Sequence, residues 1–105
     1  MAIIVTQSNI AEIKRSPKPV IIDVFAEWCG PCQHMAPIFE EISKELGEQF
    51  TFAKLNVDDA REISIEFGVT SVPTFIFMRD GQVVAKETGY MDKEDLIEKI
   101  MTYLS

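Results

Sequence analysis

The sequence is short of cysteine, histidine and basic residues, and each shortage excludes a class of protein. Its 105 residues include two cysteines and one histidine, with 10 Lys and Arg against 17 Asp and Glu. A structural zinc site needs about four Cys or His ligands, so we expect no metal. The net charge of −7 is opposite in sign to the basic surface that nucleic acids and anionic membranes require. We therefore expect neither as a partner, and we interpret the acidity as an aid to solubility.

Long apolar segments are missing as well. The apolar runs are far shorter than the roughly 20 residues that span a bilayer, and the N-terminus turns polar at Thr6 without a basic leader segment. Two cysteines without a signal peptide predict a reducing compartment, and we expect the cytoplasm. A mature organellar chain would have the same composition. The length and the 47% hydrophobic content predict a single domain, residues 1–105, with one core.

Both cysteines lie in one short motif, Trp-Cys-Gly-Pro-Cys at residues 28–32. An apolar run, residues 20–25, precedes the motif and a stretch of helical periodicity follows it, which predicts a strand, a turn and a helix. A Cys-x-x-Cys pair in that context indicates a dithiol–disulfide redox motif. We expect Cys29 to be exposed at the helix N-terminus, where free N–H groups stabilise a thiolate, and Cys32 to lie one turn further in.

Hydrophobic periodicity predicts alternating strands and helices that end in a hairpin. The predicted strands cover residues 2–5, 20–25, 50–57, 74–78 and 83–88. Three of the predicted helices begin at the caps Ser8, Asp59 (with Glu62 as a capping box) and Asp92, and the second begins at the cysteine motif. Gly47 and Gly68 end the second and third. Asp80-Gly81 is typical of a two-residue hairpin turn. This order predicts a mixed α/β sheet with helices on both faces.

Asp23 is the one charged residue within the apolar run before the cysteines. Burial makes an ionised carboxylate costly, so we expect the pKa of Asp23 to rise toward neutrality and the group to move a proton at the thiols. The alternative is a structural ion pair with Lys54, whose own head group is either partly buried or solvated. Trp28 is expected to shield the cysteines and contact substrate, or else to complete the core. His34 is expected to be an exposed helix residue.

Three segments carry a resemblance to the thioredoxin family that covers essentially the whole chain. They are Ala-Glu-Trp-Cys-Gly-Pro-Cys at residues 26–32, Ala-Lys-Leu-Asn-Val-Asp at residues 53–58 and Val-Pro-Thr at residues 72–74. The resemblance implies an α/β thioredoxin fold, with a mixed central β-sheet in strand order 1-3-2-4-5 flanked by four helices. It also implies a cis peptide bond before Pro73.

The resemblance further implies a protein-disulfide reductase that works by dithiol–disulfide exchange, without a cofactor beyond the Cys29–Cys32 disulfide. Cys29 matches the attacking cysteine and Cys32 the resolving one, while Asp23 and Lys54 match a buried carboxylate and the lysine beside it. The residues that match the substrate-binding surface are Trp28, Gly30, Pro31, Val72, Pro73 and Gly89. The implied partners of this monomer are a thioredoxin reductase, which supplies the electrons, and disulfide-containing proteins.

Four residues depart from the family pattern, namely Gln33, His34, Ser71 and Tyr90, and none of them removes a catalytic group. Two alternative functions stay open. One is a thioredoxin-fold binding module that uses its thiols little, and the other is a disulfide oxidant or isomerase. The Gly-Pro pair between the cysteines and the missing signal peptide favour the reductase.

Overall fold

Residues 2–105, which a computed structural model describes, form one five-stranded sheet and four helices. The strands are β1 (Ile3–Ile4), β2 (Val20–Phe25), β3 (Thr51–Asn56), β4 (Thr74–Arg79) and β5 (Gln82–Thr88). The helices are α1 (Ile10–Lys14), α2 (Gly30–Leu46), α3 (Arg61–Glu66) and α4 (Lys93–Leu104). The strand order β1-β3-β2-β4-β5 confirms the predicted mixed sheet.

Strand β2 is the centre of the sheet. It runs parallel to β3, which in turn runs parallel to β1, and antiparallel to β4. The register places Asp23 of β2 beside Lys54 on one side and Phe75 on the other. Because neighbours in register point to the same face of a sheet, these three side chains lie on a common face.

The two faces of the sheet pack against different helices. Side chains alternate along β2, so Ile22 and Val24 pack with residues of α1 and α3, whereas Ile21 packs with residues of α2 and α4. All five residues Val20–Val24 are buried, as expected for a strand covered on both faces. Asp23 therefore lies under α2, the helix that carries the two cysteines.

The start of α1 differs from the prediction. The N-cap is Asn9 and not Ser8. The amide of Thr6 donates to Asn9 Oδ1 at 2.8 Å, and the amide of Asn9 donates to Thr6 Oγ1 at 3.2 Å. These reciprocal bonds fix the turn that precedes the helix, and Ser8 makes no such contact within it. β1 is also shorter than predicted.

The start of α3 differs too. Its N-cap is Ala60, without a side-chain hydrogen bond, so the predicted Asp59–Glu62 capping box is wrong. The amides of Asp59 and Ala60 both donate to the carbonyl of Asn56, at 3.1 and 2.9 Å. A backbone turn at the end of β3 thus sets the entry into the helix. β3 begins at Thr51, since the amide of Phe50 still bonds to Leu46 at the end of α2.

Other predicted boundaries are confirmed. Asp92 caps α4, because its Oδ1 accepts the amide of Asp95 at 2.9 Å. Asp80 and Gly81 have φ values of 55° and 77°, the left-handed conformation that a two-residue hairpin turn requires. Gly68 follows α3 with φ of 73°, which suits a helix C-terminus.

Candidate active site

Four loops meet at one edge of the sheet, and we call them the active-edge loops: residues 26–29, 57–60, 70–73 and 89–92. β2 and β3 both end at this edge, while β4 begins there and β5 ends beside it. The amide of Val57 donates to the carbonyl of Phe25 at 2.9 Å, which joins the first two loops. The topology of the sheet therefore brings distant parts of the sequence together around the cysteines.

A disulfide joins Cys29 and Cys32 across the first turn of α2, with their Cα atoms 5.2 Å apart. Cys29 is the N-cap of the helix, and its Sγ accepts the amide of Cys32 at 3.2 Å. Pro31 occupies the first turn, where a missing N–H costs nothing. The free amides and the helix dipole favour negative charge on the Cys29 sulfur, as predicted from the motif.

The exposure of the two cysteines differs from the prediction. Cys29 is 6% exposed and Cys32 4% exposed, so Cys29 is scarcely more accessible than Cys32. Ala26, Val57 and Val72 from three of the active-edge loops pack around the pair. The chemical difference between the sulfurs therefore lies in position, because Cys29 Sγ accepts a helix amide and Cys32 lies a turn further into the helix.

Asp23 is 1% exposed, and neither carboxylate oxygen has a hydrogen-bond partner among residues 2–105. Burial raises the pKa of Asp23 from its ordinary value of 3.8 to about 7, and the positive charge of Lys54 offsets part of the rise. The predicted burial and the direction of the pKa shift are both confirmed. A carboxyl group that titrates near neutrality can both accept and return a proton.

Lys54 is half-buried beside Asp23. Its Nζ lies 4.7 Å from the centre of the Phe25 ring, a cation–π contact that holds the ammonium near the sheet. No ion pair within 4 Å is formed with Asp23 in the part of the chain that is described. The predicted structural ion pair is thus absent there, and Lys54 acts on Asp23 through space. Lys54 and Cys32 both line one open cavity of about 340 Å³.

The loop before β4 reaches the disulfide through its backbone. The Val72–Pro73 peptide bond is cis, as the resemblance implied, and the carbonyl oxygen of Val72 lies 3.8 Å from Cys29 Sγ. The amide of Gly89 donates to the carbonyl of Pro73 at 2.9 Å. Pro73 is buried and Val72 is half-buried, so what this loop presents beside the sulfur is largely main chain.

Trp28 is 70% exposed, which contradicts the alternative of a core tryptophan. Its Nε1 donates to Asp58 Oδ2 at 3.1 Å, so the ring is held beside the disulfide at the protein surface. Gly30 and Pro31 are exposed next to it. The sequence reasoning missed Asp58. The signal available was that β2 and β3 end at the same edge, which places the residues after each strand together.

Gln33, one of the departures from the family pattern, has a defined contact. Its Nε2 donates to the carbonyl of Glu27 at 2.8 Å, which ties the first turn of α2 to the loop before it. His34 is exposed, as expected. Among residues 2–105, no group of three or more His, Cys, Asp or Glu side chains is placed to hold a metal ion. None of the helices described has the length and apolar character needed to cross a bilayer.

Comparisons with known proteins agree with this geometry. The family model named Thioredoxin matches residues 1–102. A thioredoxin of Alicyclobacillus acidocaldarius is 42% identical over 91 residues, which is 87% of this chain and 87% of that protein. The thioredoxin of Bacillus subtilis is 36% identical over 104 residues, covering 99% of this chain and 100% of that protein.

A third relative combines two activities in its name. The bifunctional thioredoxin reductase/thioredoxin of Mycobacterium leprae is 43% identical over 93 residues, which is 89% of this chain and 20% of that protein. The match to the family model extends over nearly the whole chain, and the cysteine pair lies at the start of α2. The chain therefore belongs to the thioredoxin family and is a protein-disulfide oxidoreductase that works by dithiol–disulfide exchange.

Proposed function

We propose that the chain, acting as a single-domain monomer, reduces disulfides in other proteins and receives its electrons from a thioredoxin reductase. The observation that carries this proposal is a buried carboxyl with a pKa of about 7, Asp23, on the sheet face that α2 covers. Its neighbour Lys54 lines one cavity together with Cys32. A module that only binds polypeptides has no use for a destabilising buried acid. A dithiol that must lose a proton during each cycle needs such a group as its base.

The first step belongs to Cys29. Its thiolate attacks one sulfur of the substrate disulfide, the substrate S–S bond breaks, and an intermolecular disulfide forms. The departing substrate sulfur leaves as a thiolate and takes a proton from solvent. The amide of Cys32, 3.2 Å from Cys29 Sγ, stabilises the attacking thiolate, and the α2 dipole adds to that effect.

The second step belongs to Cys32. Its thiol gives up a proton and attacks Cys29 Sγ, which breaks the intermolecular disulfide and forms the Cys29–Cys32 disulfide. The second substrate sulfur also leaves as a thiolate and takes a proton from solvent. The substrate is then a dithiol, so two electrons have passed to it from the protein. Asp23 in its ionised form is the base for this proton. Lys54 keeps enough of the carboxyl ionised near pH 7, because its charge lowers the pKa that burial raises.

The substrate polypeptide docks where the protein exposes main chain and flat apolar groups beside the sulfurs. Trp28, Gly30 and Pro31 supply the side exposed next to Cys29. Val72, Pro73 and Gly89 supply the other side through their main chain: the carbonyl oxygen of Val72 lies 3.8 Å from Cys29 Sγ, and the amide of Gly89 is bonded to the carbonyl of Pro73. An extended substrate segment placed there would bring its disulfide onto Cys29.

The remaining features of the proposal concern partners and location. The Mycobacterium leprae relative carries the words thioredoxin reductase and thioredoxin in one name, which supports a reductase as the electron donor. Because the two cysteines store the electrons, no further cofactor is needed. Nucleic acid and membrane are not among the proposed partners, and the proposed compartment is the cytoplasm.

A trapping experiment tests the assignment of the two cysteines. Cys32→Ser leaves the attacking thiolate but removes the resolving thiol, so it should accumulate mixed disulfides with substrate proteins on non-reducing gels. Cys29→Ser, the matched control with one cysteine left, should accumulate almost none. Equal trapping by both variants would overturn the assigned roles, and full function of a Cys29→Ser/Cys32→Ser double variant would favour the binding module.

A redox titration separates reductase from oxidant. Thioredoxins as a class have reduction potentials of about −270 mV, and a strong disulfide oxidant has one of about −120 mV. For this chain we expect a reduction potential of about −270 mV. A measured potential of about −120 mV would favour the disulfide oxidant or isomerase.

A further inference from the structure

The active-edge loops carry acidic residues and no basic ones. Glu27, Asp58, Asp59 and Asp92 lie in them, and the four loops contain no lysine or arginine. All four acidic residues are exposed. With four carboxylates and no Lys or Arg, these loops carry a net charge of 0 − 4 = −4, against −7 for the whole chain.

Salt bridges of the chain do not neutralise these carboxylates. The ion pairs among residues 2–105 join Lys93 to Glu41 and Glu45, and Lys99 to Glu87. None of them includes a residue of the active-edge loops. Two basic residues lie close by and offset part of the charge. Arg61, the first residue of α3, lines a cavity together with Trp28 and Asp58, and Lys54 lines another together with Glu27 and Cys32.

Two exposed aromatic rings lie among these acids. The indole N–H of Trp28 is bonded to Asp58, which leaves the ring face open beside a carboxylate. Tyr90 is 52% exposed and follows Gly89, which is bonded to the carbonyl of Pro73. Lysine and arginine side chains bind to aromatic faces and to carboxylates. The surface around the disulfide thus offers a cationic side chain both kinds of contact.

We infer that the site prefers substrates in which lysine or arginine flanks the reacting disulfide. This inference rests on the proposed reductase function and adds a substrate class to it. The attraction acts on encounter and on binding, because exposed complementary charges accelerate association and are screened by salt. Substrates with acidic residues beside the disulfide are repelled by the same groups.

Three cyclic disulfide peptides of eight residues test the inference. The peptides are identical except for the residues that flank each cysteine, which are Lys in one peptide, Gln in the second and Glu in the third. The fully reduced protein is mixed with each peptide, and the reaction is followed by acid quench, thiol alkylation and mass spectrometry. Each rate constant is divided by the rate constant for reduction of the same peptide by dithiothreitol. This division removes the intrinsic effect of the flanking charge on the reactivity of the disulfide. We expect the normalised rate constant to be highest for the Lys peptide, intermediate for Gln and lowest for Glu. The ratio of the Lys rate constant to the Glu rate constant should fall toward one in 0.5 M NaCl.

A charge-neutralising variant assigns the preference to named residues. In Asp58→Asn/Asp59→Asn, the amide side chain at position 58 still offers an oxygen to the Trp28 indole, and two negative charges are lost beside the disulfide. Exposed charge pairs contribute a factor of roughly 1.4 to 5 each, and the ratio of the Lys rate to the Glu rate should fall by about that factor for each charge removed. The matched control is Glu12→Gln/Asp80→Asn, which removes two exposed charges at the opposite edge of the sheet and should leave the ratio unchanged.

The outcomes separate this inference from the function on which it rests. Equal normalised rates for the three peptides, or a ratio that both double variants lower alike, would overturn the substrate preference while the reductase activity stands. Failure to reduce any of the three peptides would instead overturn the proposed function.

Discussion

Replacing Asp23 with asparagine should change how the stability of the oxidised protein depends on pH. The pKa of Asp23 is about 7 in the folded protein and ordinarily 3.8. Between those two values the folded state holds a proton that the unfolded chain releases, so the stability of the wild type falls as the pH rises toward 7. Each pH unit costs about 1.4 kcal/mol, and the difference of 7 − 3.8 = 3.2 units makes a full effect of roughly 4 kcal/mol.

The asparagine side chain of this variant cannot ionise and is close in size to a protonated aspartic acid. The variant should therefore match the wild type near pH 4 and exceed it by up to roughly 4 kcal/mol at pH 8. Urea denaturation of both oxidised proteins at pH values from 4 to 8.5 measures the difference in the free energy of unfolding. Asp80→Asn, an exposed position where asparagine suits the positive φ, should track the wild type throughout. Parallel curves for wild type and Asp23→Asn would refute the reasoning, because they would mean that Asp23 ionises as easily in the fold as outside it.

Three further predictions follow from the same site. Asp23→Asn should slow release of the mixed disulfide. The wild-type rate of that step should rise as the pH increases through about 7, and the variant should lose this rise, as single-turnover rates across the pH range will show. Lys54→Met removes the charge that lowers the pKa of Asp23, so carboxyl NMR should find that pKa raised further, and an unchanged value would contradict the role given to Lys54. Gly89→Ala places a side chain where φ is 99°, so urea denaturation should show a loss of about 1–3 kcal/mol, although no neighbouring atom obstructs the new methyl group.

The parts of the fold that sequence patterns predicted are those fixed by local chemistry. Asp92 forms the cap of α4 with an amide three residues away, and the Asp80-Gly81 turn needs only the conformations of its own residues. The burial of Asp23 was also predictable, because a continuous apolar strand has no face turned to solvent. The start of α2 was predictable as well, because the residues of the cysteine motif themselves form the first turn of the helix.

The parts that were missed depend on backbone turns and on how separate segments meet. The capping pattern of Asp59 and Glu62 is present in the sequence, but the carbonyl of Asn56 accepts the amide of Asp59, which the Glu62 side chain would bond in a capping box. The burial of Cys29 comes from Val57 and Val72, which lie far from it in sequence. The packing around Cys29 does not appear in any short window of residues. The contact of Trp28 with Asp58 likewise needs the parallel register of β2 and β3.

The cost of burying Asp23 and the chemistry of the cysteines have a common origin. A proton acceptor is most effective when its pKa is near the working pH, and an exposed aspartate, with a pKa near 4, would be too weak a base to take a thiol proton efficiently. Burial moves the pKa of Asp23 to about 7, but the same shift makes the folded state less stable at neutral pH. A substitution that relieves the instability by removing the carboxyl must also remove the base. Gain of stability and loss of the second step should therefore appear together in Asp23→Asn. The pH above which the stability difference levels off should be the pH at which the wild-type rate of the second step is half-maximal, about 7 in both cases.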